Sequence, residues 1–185
     1  MAIWTEWDKL TDVIVGDCHS PGSFDHLLPP GKTTDNFNLI LEETKEDLLA
    51  LTNKLKDYGC HIRRPETIDP VRTTLPSFDI RFPNSPMVPR DQYIVINETI
   101  YQTYTSLTDR YFDGHSFYKC FNDLGYNWIA QPSPQLISLD PTTKWWNGGK
   151  DIYHNKLKDK VLWHTATMYK TGDKLITNTQ GPGTQ

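Results

Sequence analysis

The run Asp57-Tyr58-Gly59-Cys60-His61-Ile62-Arg63-Arg64-Pro65 has a counterpart in Asp123-Leu124-Gly125-Tyr126-Asn127-Trp128-Ile129-Ala130, which stops just short of Pro132. Ahead of the first run, Leu41, Leu48, Leu51 and Leu55 recur at spacings of three, four and seven, which predicts a helix with one apolar face. Glu42, Glu43, Glu46 and Asp47 crowd its early turns and Lys54 and Lys56 its end, as the helix dipole favours. Ahead of the second run, Phe117, Cys120, Phe121 and Leu124 sit at i, i+3, i+4 and i+7 and predict another helix. Gly59 and Gly125 stop these helices, and each is followed by a short strand that runs to a proline. The two glycines stand 66 residues apart, a period above the usual solenoid range that still marks a repeated supersecondary unit. Each unit reads as two strands, a helix and another strand, an α/β arrangement.

Between the runs lies Met87-Val88-Pro89-Arg90-Asp91-Gln92-Tyr93-Ile94-Val95-Ile96-Asn97-Glu98-Thr99-Ile100. A proline-rich loop delivers Asp91 to the mouth of an apolar strand, which turns at Asn97-Glu98 and returns through Thr99-Ile100-Tyr101. A carboxylate at such a junction matches the paired N–H groups of a guanidinium. The local alternatives are an ion pair with Arg90 or the capping of a turn.

Residues 12 to 16 read as a buried strand closed by Gly16, followed by a Pro-, Gly- and Asp-rich loop to about Asp35. A third unit begins at Lys160-Val161-Leu162-Trp163, turns at Lys170-Thr171-Gly172-Asp173 and returns through Lys174-Leu175-Ile176-Thr177. Its helix and closing strand are missing, and a repeat without the element that covers its apolar face is a poor end cap. Residues 1–185 are therefore read as one truncated domain cut in mid-module, or one whose last strands dock on a partner chain.

The formal charge of −4, with both signs interspersed, lacks the footprint of a nucleic-acid binder. No apolar run approaches the length of a membrane span, and the opening residues lack a signal-peptide pattern. Three scattered cysteines without Cys-x-x-Cys spacing favour reduced thiols and a cytoplasmic setting. His115 and His154 have no second ligand at metal spacing, so no metal site is expected. Cys120, on an apolar helix face, and Cys60, opening a strand, read as packing residues. Cys18, beside His19, is the one cysteine with plausible exposure. Arg63 and Arg64 with Glu66 read as a surface ion-pair cluster, and Trp145-Trp146 with Gly148-Gly149 as an insertion that forms a lid or covers a sheet edge.

Four stretches together resemble one family. Glu6-Trp7-Asp8-Lys9-Leu10-Thr11-Asp12-Val13-Ile14-Val15-Gly16, Gly59-Cys60-His61-Ile62-Arg63-Arg64-Pro65-Glu66, Met87-Val88-Pro89-Arg90-Asp91 and Arg110-Tyr111-Phe112-Asp113 are similar, in this order, to segments of the amidinotransferases. The resemblance implies a pentein-like α/β propeller of ββαβ modules, of which this chain holds about two and a half of five. It implies transfer of an amidino group from arginine to an amine acceptor such as glycine, through a cysteine-bound intermediate, with no cofactor. It also implies that Asp91, Arg90 and Arg110 bind the substrate. The family's His-x-Asp and nucleophilic Cys would lie beyond this chain, in a C-terminal half or a linked product.

One departure stands out. The family's Phe-Asp-Ala-Ala-Asp stretch corresponds to Trp163-His164-Thr165-Ala166-Thr167, so both acids are replaced and His164 is a catalytic candidate only as a proton relay. Two alternatives therefore accompany the enzyme reading. One is a non-catalytic pentein that binds guanidino compounds or serves as a subunit; the other is a decayed or truncated fragment. The partner expected for the chain is a C-terminal half or a second copy in a homo-oligomer.

Overall fold

The structure, a computed structural model, describes residues 4–76, 78–80, 82–103, 108–130, 165 and 168–177. Its elements are β1 (Asp12–Ile14), α1 (Lys32–Asp57), β2 (His61–Arg63), β3 (Thr73–Leu75), β4 (Phe78–Ile80), β5 (Tyr93–Ile96), β6 (Thr99–Gln102), α2 (Asp113–Ser116), α3 (Tyr118–Leu124), β7 (Asn127–Ala130), β8 (Met168–Lys170) and β9 (Leu175–Thr177). Pro89–Asp91 and Thr108–Arg110 form single 3-10 turns. The chain divides into two compact units: one of residues 9–89 and 112–125, the other of residues 1–8, 90–111 and 126–185.

In the first unit β1 and β2 pair in parallel, Asp12 opposite His61 and Ile14 opposite Arg63, with α1 as the connection between them. The C-terminus of α1 is a Schellman motif. Gly59 takes φ 83°, its N–H bonds the carbonyl of Lys56 at 2.8 Å, and the Cys60 N–H reaches Leu55 at 3.1 Å. The inward face of α1 carries Thr34, Leu41 and Thr52, with Phe37 and Leu48 packed on the core. Here the predicted stripe is corrected: Leu51 is 49% exposed and Thr52 takes the inward place. The threonine can do so because its hydroxyl donates to Leu48 O at 2.8 Å and accepts from Arg64 Nη1 at 2.9 Å, so the hydroxyl itself is paired. The helix also begins at Lys32, a few residues earlier than expected.

The core of this unit gathers Cys18, Phe24 and Leu41, with Leu27, Leu28, Phe37, Leu48 and Phe82 around them. The Phe24 ring stacks on Phe82 with centroids 4.6 Å apart and meets Phe37 edge-on at 5.1 Å. Phe117, Cys120 and Phe121 of the second predicted helix are buried as expected, although the helix is broken into α2 and α3 at Phe117.

In the other unit β5 and β6 form a tight antiparallel hairpin. Asn97 occupies the turn at φ 57°, a left-handed conformation that asparagine tolerates better than most residues. β7 then joins β6 in parallel, Thr99 opposite Asn127 and Gln102 opposite Ala130. Of the expected two strands, helix and strand, β5, β6, α3 and β7 supply all four, and β1, α1 and β2 the last three; His61 and Asn127, 66 residues apart, each open the second strand of a parallel pair. Gly125 takes φ 65° at the end of α3, as Gly59 does beyond α1. β8 and β9 make the expected hairpin across Gly172. Residues 160–163 and the Trp145-Trp146 insertion lie outside the described residues. Among the described residues no helix is long and apolar enough to cross a membrane.

Among the described glycines Gly16 has the tightest surroundings: a Cβ there would lie 1.9 Å from the carbonyl oxygen of Met87. Gly16→Ala is expected to lower stability by about 3 kcal/mol or more, because backbone must move to relieve the overlap. Gly59→Ala, in open space but at positive φ, should cost about 1 kcal/mol. Denaturant titration of the two variants checks the order.

Candidate functional site

Asp91 closes the 3-10 turn that begins at Pro89, whose fixed φ suits the first position of such a turn. The carboxylate oxygen Oδ2 accepts from Arg110 Nη1 at 2.8 Å. The Arg110 side chain is 12% exposed and that of Asp91 28%, so the pair is shielded without being sealed from water. Arg110 itself sits at the end of the second 3-10 turn, Thr108–Arg110. Two of the three residues nominated as substrate-binding thus meet in one ion pair. The local alternative, Asp91 with Arg90, is corrected: the partner comes from 19 residues downstream.

Arg90 turns elsewhere. Its guanidinium donates to the backbone carbonyls of Thr165 and Met168 and lies 3.3 Å from Glu6 Oε1. Glu6 Oε1 also accepts the Lys170 N–H at 3.1 Å. The Lys170 ammonium donates to Val95 O at 2.9 Å, and burial lowers its pKa. A guanidinium spread over these acceptors ties its own segment to β8.

Asp91 is flanked by buried polar groups. Thr165, 0% exposed, donates its hydroxyl to Arg90 O at 2.9 Å and its N–H to Thr103 Oγ1 at 3.3 Å. Thr103 in turn donates its N–H to Gln92 O at 2.7 Å. The carbonyls on either side of Asp91 are therefore both held. Reading the sequence misses Thr165 and Thr103, because neither stands in a local pattern with the turn they hold. His164, the catalytic candidate, lies outside the described residues.

The cysteines behave as packing residues. Cys18 is corrected: it is 1% exposed, its Sγ faces Leu41 O at 3.5 Å, and burial, aided by the Asp17 charge, raises its pKa. Burial also raises the pKa of Cys120, and Cys60 is buried. A thiol pushed this way is a poorer nucleophile at neutral pH. Arg63, Arg64 and Glu66 each form an ion pair, but the expected cluster is corrected: the arginines take Asp12 and Asp17 rather than Glu66. Arg63 donates Nε and Nη2 to the two oxygens of Asp12 at 2.9 and 3.1 Å, Arg64 meets Asp17 at 2.8 Å, and Lys119 meets Glu66 at 2.7 Å.

His19 lines a cavity of about 260 Å³ with Val71, Pro86, Phe112, Asp113 and His115 among its neighbours. Its Nε2 bonds Ile68 O at 2.8 Å, and because a carbonyl only accepts, that nitrogen carries the proton. Nδ1 then accepts the Ser85 hydroxyl at 2.5 Å, and Ser85 Oγ accepts the His19 N–H at 3.0 Å. Burial holds the imidazole pKa below its ordinary value. The unfolded chain therefore binds the proton more readily than the folded one. The stabilisation from this group is complete above the unfolded value of about 6.5 and declines as pH falls below it. Thermal unfolding followed from pH 7.5 to 5 should give a falling midpoint, and His19→Gln should flatten that slope.

No protein-family model matches the chain. Over 157 residues it is 27% identical to "Putative inosamine-phosphate amidinotransferase 2" of Streptomyces griseus, covering 74% of this chain and 44% of that protein. It is 25% identical to inosamine-phosphate amidinotransferase 1 of the same organism over 162 residues, with the same coverage. The solved structure of a Microseira wollei amidinotransferase from saxitoxin biosynthesis superposes with a TM-score of 0.68 at 18% identity, over 95% of this chain and 56% of that one. The Streptomyces griseus inosamine-phosphate amidinotransferase structure gives the same TM-score at 20% identity, over 95% and 54%. The chain thus spans about half the length of the proteins it matches.

Proposed function

We propose, from the premise that this chain is a relative of the amidinotransferases, that it forms the guanidinium-holding part of a protein that moves an amidino group from arginine to an amine such as glycine. In this reading its repeats belong to a five-module pentein ring, in a cytoplasmic setting. Asp91 grips the guanidinium of arginine, Arg110 orients that carboxylate, and Arg90 fixes the turn. The supporting observation is the Asp91–Arg110 pair: a half-shielded carboxylate already bonded to a guanidinium at 2.8 Å, with lone pairs remaining on its other oxygen.

A cysteine thiolate adds to the guanidinium carbon; the bond from that carbon to the side-chain nitrogen of arginine breaks, and ornithine leaves with a proton. The acceptor amine then adds to the amidino carbon, loses a proton, and the thiolate is expelled. Asp91 neutralises and positions the cation during both steps. The buried thiols Cys18, Cys60 and Cys120 are assigned no part in this sequence, so the nucleophile comes from another segment or partner. In this reading His164 relays the protons.

The buried thiols favour a second reading, a guanidino-compound-binding protein without transfer chemistry. Incubating the chain with arginine together with the segment or partner that supplies the nucleophile, and analysing all cysteines by mass spectrometry, separates the two. A cysteine heavier by one amidino group would exclude the binding-only reading.

Asp91→Asn should weaken L-arginine binding about ten- to hundredfold by calorimetry, the worth of a charge-assisted hydrogen bond. Asp123→Asn, a change on an exposed helix position, should leave the affinity as it is. Equal affinities for the wild type and Asp91→Asn would remove Asp91 from the site.

A further inference from the structure

We propose that Thr165 is a positioning residue for the Asp91 carboxylate, an inference that rests on the assignment of Asp91 as the guanidinium holder. Thr165 contributes all its hydrogen-bonding groups to one end of the site. Its hydroxyl donates to Arg90 O at 2.9 Å, its carbonyl accepts the Arg90 guanidinium, and its N–H reaches Thr103 Oγ1 at 3.3 Å. Thr103, through its own N–H, holds Gln92 O at 2.7 Å. The carbonyls of the two residues that flank Asp91 in sequence, Arg90 and Gln92, are thereby held through one buried pair of threonines, with Gln92 buried too.

The carboxylate has no such restraint of its own. Arg110 holds Oδ2, and a single ion pair leaves an aspartate free to swing with its backbone unless the adjoining peptides are fixed. Reciprocal bonding of Arg90 and Thr165, side chain to carbonyl in both directions, removes that freedom. A hydroxyl is needed at position 165, because without it Arg90 O loses the donor that the buried Thr165 supplies. The consequence is preorganisation: arginine meets a carboxylate already in place and need not order the turn on binding.

The test uses the full 185-residue chain with Thr165→Val, which keeps the shape and loses the hydroxyl, and Thr165→Ser, which restores it. L-arginine affinity is measured by calorimetry, with Asp91→Asn as the reference for the site. At the same time the Asp91 amide and the Arg110 guanidinium resonances are followed by NMR without ligand. Thr165→Val should weaken arginine binding about tenfold and displace both sets of resonances, and Thr165→Ser should bring affinity and resonances back toward the wild type. If Asp91→Asn abolishes binding while Thr165→Val binds as the wild type does, the positioning role is overturned and the functional reading survives. If the wild type fails to bind arginine, the functional reading fails and the NMR comparison decides the clamp: unmoved Asp91 and Arg110 resonances in Thr165→Val overturn it. A Thr165→Val chain that does not fold shifts the decision to Thr165→Ser and Thr103→Val. The clamp then predicts wild-type arginine affinity for the first and weakened affinity for the second; any other pairing overturns it.

Discussion

A backbone N–H or carbonyl shielded from water must find a partner, and strands of three or four residues supply few. In this chain the shortfall is met by segments far apart in sequence. Val15 N–H reaches Arg63 O at 3.1 Å, and Asp17 N–H reaches Pro86 O at 3.0 Å. In the other unit Glu6 N–H reaches Lys170 O at 3.2 Å, and Thr103 N–H reaches Gln92 O at 2.7 Å. The irregular stretches are therefore tied down much as the strands are. That is the condition for a loop residue such as Asp91 to hold a ligand at a fixed place, since binding groups on loops need a rigid support.

The same chemistry recurs at several carboxylates. Arg63 grips Asp12 through two bonds and Arg64 meets Asp17. The hydrogen bonds from Arg63 and His61 lower the Asp12 pKa against the opposing effect of burial. Partly exposed pairs of this kind add little to stability. Their value here is geometric: they orient side chains. The Asp91–Arg110 pair differs in that the buried Thr165 and Thr103 bond the carbonyls of the residues flanking Asp91.

Much of the architecture was legible where local chemistry decides it. Gly59 and Gly125 announced left-handed helix ends, Asn97 a tight turn, and Phe117, Cys120 and Phe121 a buried helical face. Four short stretches pointed to the amidinotransferases, and the relatives agree. What was not legible is what long-range pairing decides. Leu51 looked like a core residue because the apolar pattern treats leucine as inward and threonine as neutral, whereas Arg64 and the Leu48 carbonyl make Thr52 the better inward residue. Cys18 looked exposed because it follows a strand in a loop-rich stretch, yet Phe24 and Leu41 enclose it. Arg90 looked like the partner of its neighbour Asp91, but adjacent residues in a 3-10 turn point apart, and acceptors from the Thr165–Met168 stretch took it instead.

The central claim is that the Asp91 carboxylate receives a guanidinium from outside the chain. The most direct measurement follows the side-chain carboxylate carbon resonances of the aspartates and glutamates during titration with L-arginine. The account predicts that the Asp91 resonance moves and saturates while those of Asp12 and Asp17, already bonded to Arg63 and Arg64, stay in place. An Asp91 resonance that does not move while arginine binds elsewhere, or one that moves no more than theirs, would contradict it.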